Sequence, residues 1–199
     1  MMYHENYFDP GESHRIDCAH RMNMIKETIG SAGCSVLDVG CSGGYYSFAM
    51  RDLLKGYVYG IDTEQELVDG CRALAASHEV DNVVFDCLEL SEYLIHTDER
   101  FDVCLYMSAH HHVIQRHGFP LANYLLKTLS NRCKLMFFDM GQKNENCPAT
   151  GWWNLMPPCP DQKEWLVDYL YKNTMFKKIE IIGSSKVHDV DRYFFRMEQ

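Results

Sequence analysis

Short apolar runs alternate along this chain with segments whose apolar positions recur every three or four residues. The runs Ser35 to Val39, Tyr57 to Asp62, Asn82 to Asp86, Phe101 to Met107 and Lys134 to Phe138 read as strands. Between them lies helical spacing. Cys18, Met22, Ile25 and Ile29 share one face of a leading helix around His14 to Ile29, and Tyr45 to Leu54 reads as a helix after the first strand. Leu67, Val68, Cys71, Leu74 and Ala75 form a clear stripe; Leu88 to Ile95 is a weaker one, and Leu121, Tyr124, Leu125 and Leu129 mark another helix. Strict β-α alternation predicts a parallel sheet wrapped by helices. Residues 144–160 change character, with four of the six prolines and the pair Trp152-Trp153, and read as an ordered loop. A helix carrying Trp165, Leu166, Tyr169 and Leu170 follows, then strand Phe176 to Ile182, a turn at Gly183-Ser184-Ser185, and strand Val190 to Met197. A short connection makes these last two strands antiparallel.

The first run carries chemistry as well as a strand. Asp38-Val39-Gly40-Cys41-Ser42-Gly43-Gly44 ends a buried strand in an acidic residue and turns through glycines into a helix. Small residues let the backbone approach a ligand, and the new helix aims unpaired N–H groups at it. A dinucleotide G-x-G-x-x-G counted from Gly40 needs glycine where Ser42 stands, and no Gly-Lys-Ser/Thr follows for a P-loop. Asp62 then closes the next strand, where a ribose-binding carboxylate is required. The competing reading is that Asp62 or Thr63 caps the following helix, Thr63-x-x-Glu66 being a capping box.

The form D-x-G-C-x-G-G resembles motif I of the class I S-adenosylmethionine (SAM)-dependent methyltransferases, with Ser42 replacing the commonest middle glycine. The resemblance implies a Rossmann-like α/β fold: a seven-stranded, mostly parallel sheet of order 3-2-1-4-5-7-6, its last strand antiparallel, with helices on both faces. It implies a single domain over 1–199, with an N-terminal helical cap at 1–30 and the 144–160 loop near the acceptor. It also implies SAM as cofactor, bound by Asp38, Gly40, Cys41, Ser42, Gly44, Tyr45, Asp62, Asp86, Cys87 and Met107. In that family Asp38 holds the methionine end, and Asp86 with the backbone of Cys87 meets the adenine. The alternatives are a structural carboxylate satisfied by loop amides for Asp38 and a turn starter for Asp86.

Composition narrows the function. A net charge of −9 argues against non-specific binding to a phosphate backbone, so free nucleic acid is not the expected partner. Nine cysteines, an odd number with Cys104 and Cys133 inside apolar strands and no C-x-x-C pair, read as reduced buried thiols, and no metal is expected. The N-terminus lacks a basic start followed by an apolar run, and nowhere do 18 apolar residues follow one another. A cytoplasmic protein without membrane insertion is expected; oligomeric state stays open.

Met107-Ser108-Ala109-His110-His111-His112-Val113 follows the fourth strand, where the family places residues facing the transferred methyl and its acceptor. Adjacent side chains diverge on a strand or a helix, so one histidine is expected at the site, from His111 and His112. Packing of His112 under the next helix, with the others solvated, is the bland alternative, and a metal cluster a third. The resemblance sharpens over Gly44-Tyr45-Tyr46-Ser47-Phe48, the histidine run with Val113-Ile114, Arg116-His117-Gly118, and Phe138-Asp139 before a tryptophan-bearing loop. These look like the methyltransferase part of bacterial O-antigen chain-terminating enzymes, which methylate a terminal phosphate on a glycan, and more distantly like RNA 5′-phosphate capping methyltransferases. His110 departs from the phenylalanine usual there, and Asp139 from a glutamate.

The implied reaction is displacement at the sulfonium methyl by an acceptor oxygen, to which orientation contributes up to roughly 7–11 kcal/mol. A phosphate is already ionised and needs positioning; a hydroxyl needs a base, for which His111 or His112 assisted by Asp139 are the candidates. Tyr45, Tyr46, Trp152 and Trp153 are candidate walls of a small-molecule or glycan acceptor pocket, and Tyr7, Arg15 and Arg21 candidates to close over a carboxylate or an anionic acceptor. The rival from another class is a non-catalytic SAM-binding or scaffolding protein.

Overall fold

A computed structural model describes residues 7–8, 18–30, 33–145, 151–187 and 190–199. In chain order the elements are α1 (Cys18–Thr28), β1 (Val36–Val39), α2 (Tyr45–Leu54), β2 (Val58–Asp62), α3 (Gln65–Ser77), β3 (Val83–Cys87), α4 (Leu90–His96), β4 (Phe101–Met107), α5 (His110–Ser130), β5 (Cys133–Asp139), α6 (Gln162–Asn173), β6 (Lys178–Val187) and β7 (Val190–Glu198). Single 3-10 turns occupy Lys143–Glu145 and Trp152–Asn154. The strands form a seven-stranded sheet of order β3-β2-β1-β4-β5-β7-β6, in which β7 runs antiparallel to both of its neighbours. This is the Rossmann-like topology expected.

The described residues up to Leu105 form one compact unit and those from Tyr106 on a second. In the first, β1 pairs in parallel with β2 and β4, and β2 with β3. All four residues of β1 are buried, as a central parallel strand requires. Phe48 and Met50 of α2 and Val68 and Cys71 of α3 complete that core. In the second unit, Met136, Phe137 and Phe138 of β5 are buried with Phe194, Phe195 and Met197 of β7, and Leu125, Leu126 and Leu129 of α5 are buried too. The α6 start is capped by Asp161, whose side chain accepts the N–H groups of Lys163 and Glu164.

One expectation needs correction. The turn placed at Gly183-Ser184-Ser185 is strand: β6 continues to Val187, Gly183 pairs with Phe194, and the register shift between Ile181 and Gly183 leaves Ile182 as the extra residue. The helix marked by Leu121 to Leu129 is present as the second part of α5, and α5 also holds an earlier helical stretch from His110. α5 is broken at Gly118, whose φ of 74° and ψ of 165° suit only glycine, and Pro120 follows. That break separates the histidine-bearing turns from the apolar stripe. The His14 to Asp17 part of the leading helix lies outside the described residues.

Candidate functional site

In the first unit, the loop after β1 is tied to the tip of β2. The N–H groups of Gly40 and Cys41 both donate to the carbonyl of Ile61, at 2.8 and 3.0 Å, and Gly44 N–H donates to Cys41 O at 2.9 Å. Gly40, Ser42 and Gly44 all take positive φ, 77°, 49° and 78°. Ser42 thus adopts the conformation that explains the family's usual glycine, at a cost of roughly 1–2 kcal/mol. Its N–H donates to Asp62 Oδ2 at 2.8 Å, while Asp62 Oδ1 accepts Glu64 N–H at 3.1 Å. Asp62 therefore braces both the loop and the entry to α3, whose N-cap is Glu64 without a side-chain bond. A carboxylate offers about four lone-pair sites, so two remain for hydroxyl donors.

Asp38 is buried and accepts the Ser47 hydroxyl at 2.6 Å. Burial pushes its carboxyl up from 3.8 to about 7; the Ser47 hydrogen bond opposes this and the Asp62 charge adds to it. Asp86 accepts the Tyr59 hydroxyl at 2.7 Å and Arg72 Nη2 at 2.8 Å. It lies beside the Asp62–Cys87 register pair, and Cys87 Sγ is 3.6 Å from Thr63 O. Cys41 is buried, and a hydrogen bond with Cys71, more than burial itself, raises its thiol well above the ordinary range. Tyr45 meets the Tyr7 ring edge-on at 5.7 Å, and Tyr7 donates to Asp52 at 2.7 Å. Arg21 is fully buried in α1; Arg15 lies outside the described residues.

Carboxylates thus sit on three adjacent strands, at or near their C-terminal ends, around a loop that opens into α2. Gly44 caps α2 without a side-chain bond, so no side chain of the cap covers the first-turn N–H groups. These residues fit a cofactor that bears an ammonium, a ribose and a nucleobase.

In the second unit, Met107 ends β4 as a buried residue and Ser108 follows with φ of 55°. Ser108 N–H donates to the Asp139 carbonyl at 3.1 Å and to its carboxylate, and Ser108 Oγ donates to that carboxylate at 3.2–3.3 Å. Arg192 Nη1 donates to Ser108 Oγ at 3.0 Å and lies 4.0 Å from Asp139. The same guanidinium grips Glu145 with both Nε and Nη2, and Glu145 Oε1 also accepts Gln142 N–H at 2.9 Å. One guanidinium is therefore set between two buried carboxylates, with the bidentate fork on Glu145.

The three histidines diverge as their spacing requires. His110 is enclosed: Tyr106 donates to its Nδ1 at 3.1 Å, its Nε2 meets the Tyr169 hydroxyl at 2.7 Å, and Tyr169 donates to Asn123. Burial lowers His110 to about 3, so it stays neutral. His111 is also buried, with Gly141 N–H donating to its Nδ1 at 3.0 Å and the Trp152 ring 4.4 Å away. A Cβ at position 141 would overlap Trp152, so only glycine admits this packing. Because Nδ1 accepts, Nε2 carries the proton, and burial first and Arg192 second keep the ring from gaining another. His112 is exposed, its ring 4.2 Å from that of His111. The packing role given to His112 in the alternative reading falls instead to His110 and His111. Among the described residues His111 makes its hydrogen bond to Gly141, and Asp139 serves Ser108 and not His111.

Ser47, Tyr59, Arg72, Ser108, Glu145 and Arg192 escaped the sequence reading. Ser47 and Ser108 carried local signals, a place in the motif after the first strand and adjacency to the histidine run; the others become partners only through strand register and helix phase. Among the described residues no three His, Cys, Asp or Glu side chains are placed to hold a metal ion, and no helix is long and apolar enough to cross a membrane.

A seven-stranded sheet of this order, with a glycine loop and carboxylates on its first three strands, defines a methyltransferase domain. Residues 30–136 match the family model described as "Methyltransferase domain", and the chain belongs to that family. Relatives include the O-antigen chain terminator bifunctional methyltransferase/kinase WbdD of Escherichia coli, 28% identical over 137 residues, 65% of this chain and 19% of WbdD. The ubiquinone biosynthesis O-methyltransferase of Neisseria meningitidis serogroup C (strain 053442) is 27% identical over 127 residues, 62% of this chain and 51% of that enzyme. Among solved structures, WbdD with the kinase inhibitor LY294002 superposes with a TM-score of 0.81 at 23% identity, over 99% of this chain and 45% of that one. The N-terminal domain of EvdMO1 with SAH bound gives 0.69 at 15% identity, over 96% and 86%. The chain spans about a fifth of WbdD and half of the ubiquinone enzyme.

Proposed function

We propose that the chain is a SAM-dependent O-methyltransferase whose acceptor is a phosphate carried on a glycan or a related small molecule. The cofactor would supply an electrophilic methyl group on a sulfonium. Asp38 would meet its ammonium, Asp62 the ribose hydroxyls, and Asp86 with the Cys87 backbone the base, while the Gly40 to Tyr45 loop contributes close backbone contact. The observation that carries the cofactor assignment is the set of Asp38, Asp62 and Asp86 on successive parallel strands around an α2 start whose cap, Gly44, brings no side chain.

His111 supports phosphate over hydroxyl. Its Nδ1 is occupied by Gly141 N–H, and its Nε2 already bears the proton, so it offers a hydrogen-bond donor and not a base. A phosphate oxygen, ionised at neutral pH, needs a donor that holds it in place; a hydroxyl would need proton removal. His112 is left as an exposed donor beside it. Asp139 has a holding role, fixing the backbone of Ser108 between β4 and α5. The proposal includes a cytoplasmic location, where buried thiols such as Cys41 and Cys71 persist reduced, and one methyltransferase domain over 1–199.

Calorimetry with SAM and SAH tests the cofactor half: binding near micromolar, about −8 kcal/mol, is expected. Asp62→Ala should weaken it at least tenfold, and no heat with either ligand refutes the reading. Labelled SAM incubated with glycan, nucleotide and metabolite fractions tests the other half, by which fraction gains label and whether phosphatase treatment of that fraction abolishes it.

A further inference from the structure

Within the second unit a cleft of about 380 Å³ opens beside the polar cluster, a size at the lower end of small-molecule sites. Its lining is mainly polar, with Pro160 and Val190 as the apolar members, and much of the polar part is unspent. The Asn144 amide and the Tyr193 hydroxyl make no hydrogen bond among the described residues. Asp161 uses one oxygen, Oδ1, for both α6 N–H groups and keeps Oδ2. Lys186 is paired with Asp191 at 3.0 Å and retains further protons. Gln142 forms a fixed wall: its side chain donates to Asp191 O at 2.8 Å and its backbone N–H to Glu145.

Three features constrain the occupant. The lining holds both donors and acceptors, as a ligand with many hydroxyls requires. The lining carries one ammonium, Lys186, against two carboxylates, Asp161 and Asp191, so it opposes an anion. Finally, the wall residue Gln142 directly follows Gly141, whose N–H holds His111, and through Glu145 it is tied to Arg192 and Ser108. The cleft is thus rigidly joined to the groups proposed to position the methyl acceptor.

We infer that this cleft binds an uncharged sugar ring of the acceptor, with Asn144, Tyr193, Asp161 and Lys186 hydrogen-bonding its hydroxyls. The inference rests on the glycan-phosphate reading and assigns the phosphate and the sugar to separate groups: His111 for the first, the cleft for the second. It makes the cleft, and not the methyl-transfer groups, the determinant of which glycan is accepted.

The test uses the full chain and ligand-observed saturation-transfer NMR with the methyl glycosides of glucose, galactose and mannose. SAH calorimetry is run on the same samples. Saturation transfer to at least one glycoside is expected, with affinity falling about threefold to tenfold in Asn144→Ala and again in Tyr193→Phe, as loss of single hydrogen bonds predicts. SAH affinity should be unchanged in both variants, which also shows that they fold. Absence of transfer to every glycoside from protein that binds SAH overturns the inference, as does equal transfer in the double variant. Displacement of the glycoside by inorganic phosphate at similar concentration also overturns it, because the cleft would then be an anion site. Loss of SAH binding in the parent protein sinks the methyltransferase reading instead, and leaves a positive glycoside result standing.

Discussion

Replacing Asp38 by asparagine should make the cofactor-free protein more stable at neutral pH while impairing its cofactor site. Asp38 is buried in β1 with one side-chain hydrogen bond, from Ser47, and its carboxyl is pushed up from 3.8 to about 7. In the folded chain the proton is retained to about pH 7; in the unfolded chain it is lost at about pH 4. Raising the pH through that window therefore favours the unfolded state, and the penalty grows from about pH 4 to about pH 7 and is constant above. Three pKa units at about 1.36 kcal/mol each set its full size at about 4 kcal/mol. Asparagine removes the titration and still accepts from Ser47 through its carbonyl oxygen.

Urea unfolding of both proteins without cofactor, from about pH 4.5 to about pH 8, measures the difference. With a slope of about 2 kcal/mol/M, the midpoint of the Asp38→Asn variant should lead by about 2 M at the alkaline end and by little at the acid end. A pH-independent gap, or a variant less stable than the parent at the alkaline end, refutes the burial argument. SAM binding supplies the other half of the cycle. An ammonium beside Asp38 favours the ionised carboxyl, so binding at about pH 6 should release a proton, detectable as buffer-dependent calorimetric heat. The substituted protein should bind more weakly and release none.

Three further outcomes follow from the packing. Arg192→Met strands Glu145 in the interior and should cost about 3–5 kcal/mol, part of it recovered in Arg192→Met/Glu145→Met, as thermal or urea unfolding will show. Ser42→Gly relieves a left-handed serine and should stabilise by up to about 1 kcal/mol once the greater freedom of unfolded glycine is subtracted; a destabilised variant would refute the strain. His110, lowered from 6.5 to about 3, binds its proton only in the unfolded chain over that interval, so stability should fall as pH drops below 6.5, by up to about 5 kcal/mol at about pH 3. His110→Phe should flatten that dependence in acid titrations followed by circular dichroism.

What could be read from the residues divides along a physical line. Elements whose order depends on local apolar spacing were legible: every strand of the sheet, α2 to its end residues, and the final antiparallel pair. The errors came where one residue overrides the pattern. Gly118 interrupts α5 and hid its first two turns, and Gly183 looked like a turn because a glycine inside a strand is indistinguishable, from spacing alone, from one that ends it. The site shows the same division. Asp38, Asp62 and Asp86 could be named as candidates because each stands at or near a strand end, a position that sequence marks. Their partners could not, because Ser47 reaches Asp38 through helix phase, and Arg72 and Tyr59 reach Asp86 from different elements. The ion pair of Arg192 with Glu145 spans 47 residues and has no local signature at all. Such long-range polar contacts bear most directly on the acceptor. They decide that His111 presents a proton and not a lone pair, and that Arg192 is committed to two carboxylates and has no fork free for a phosphate.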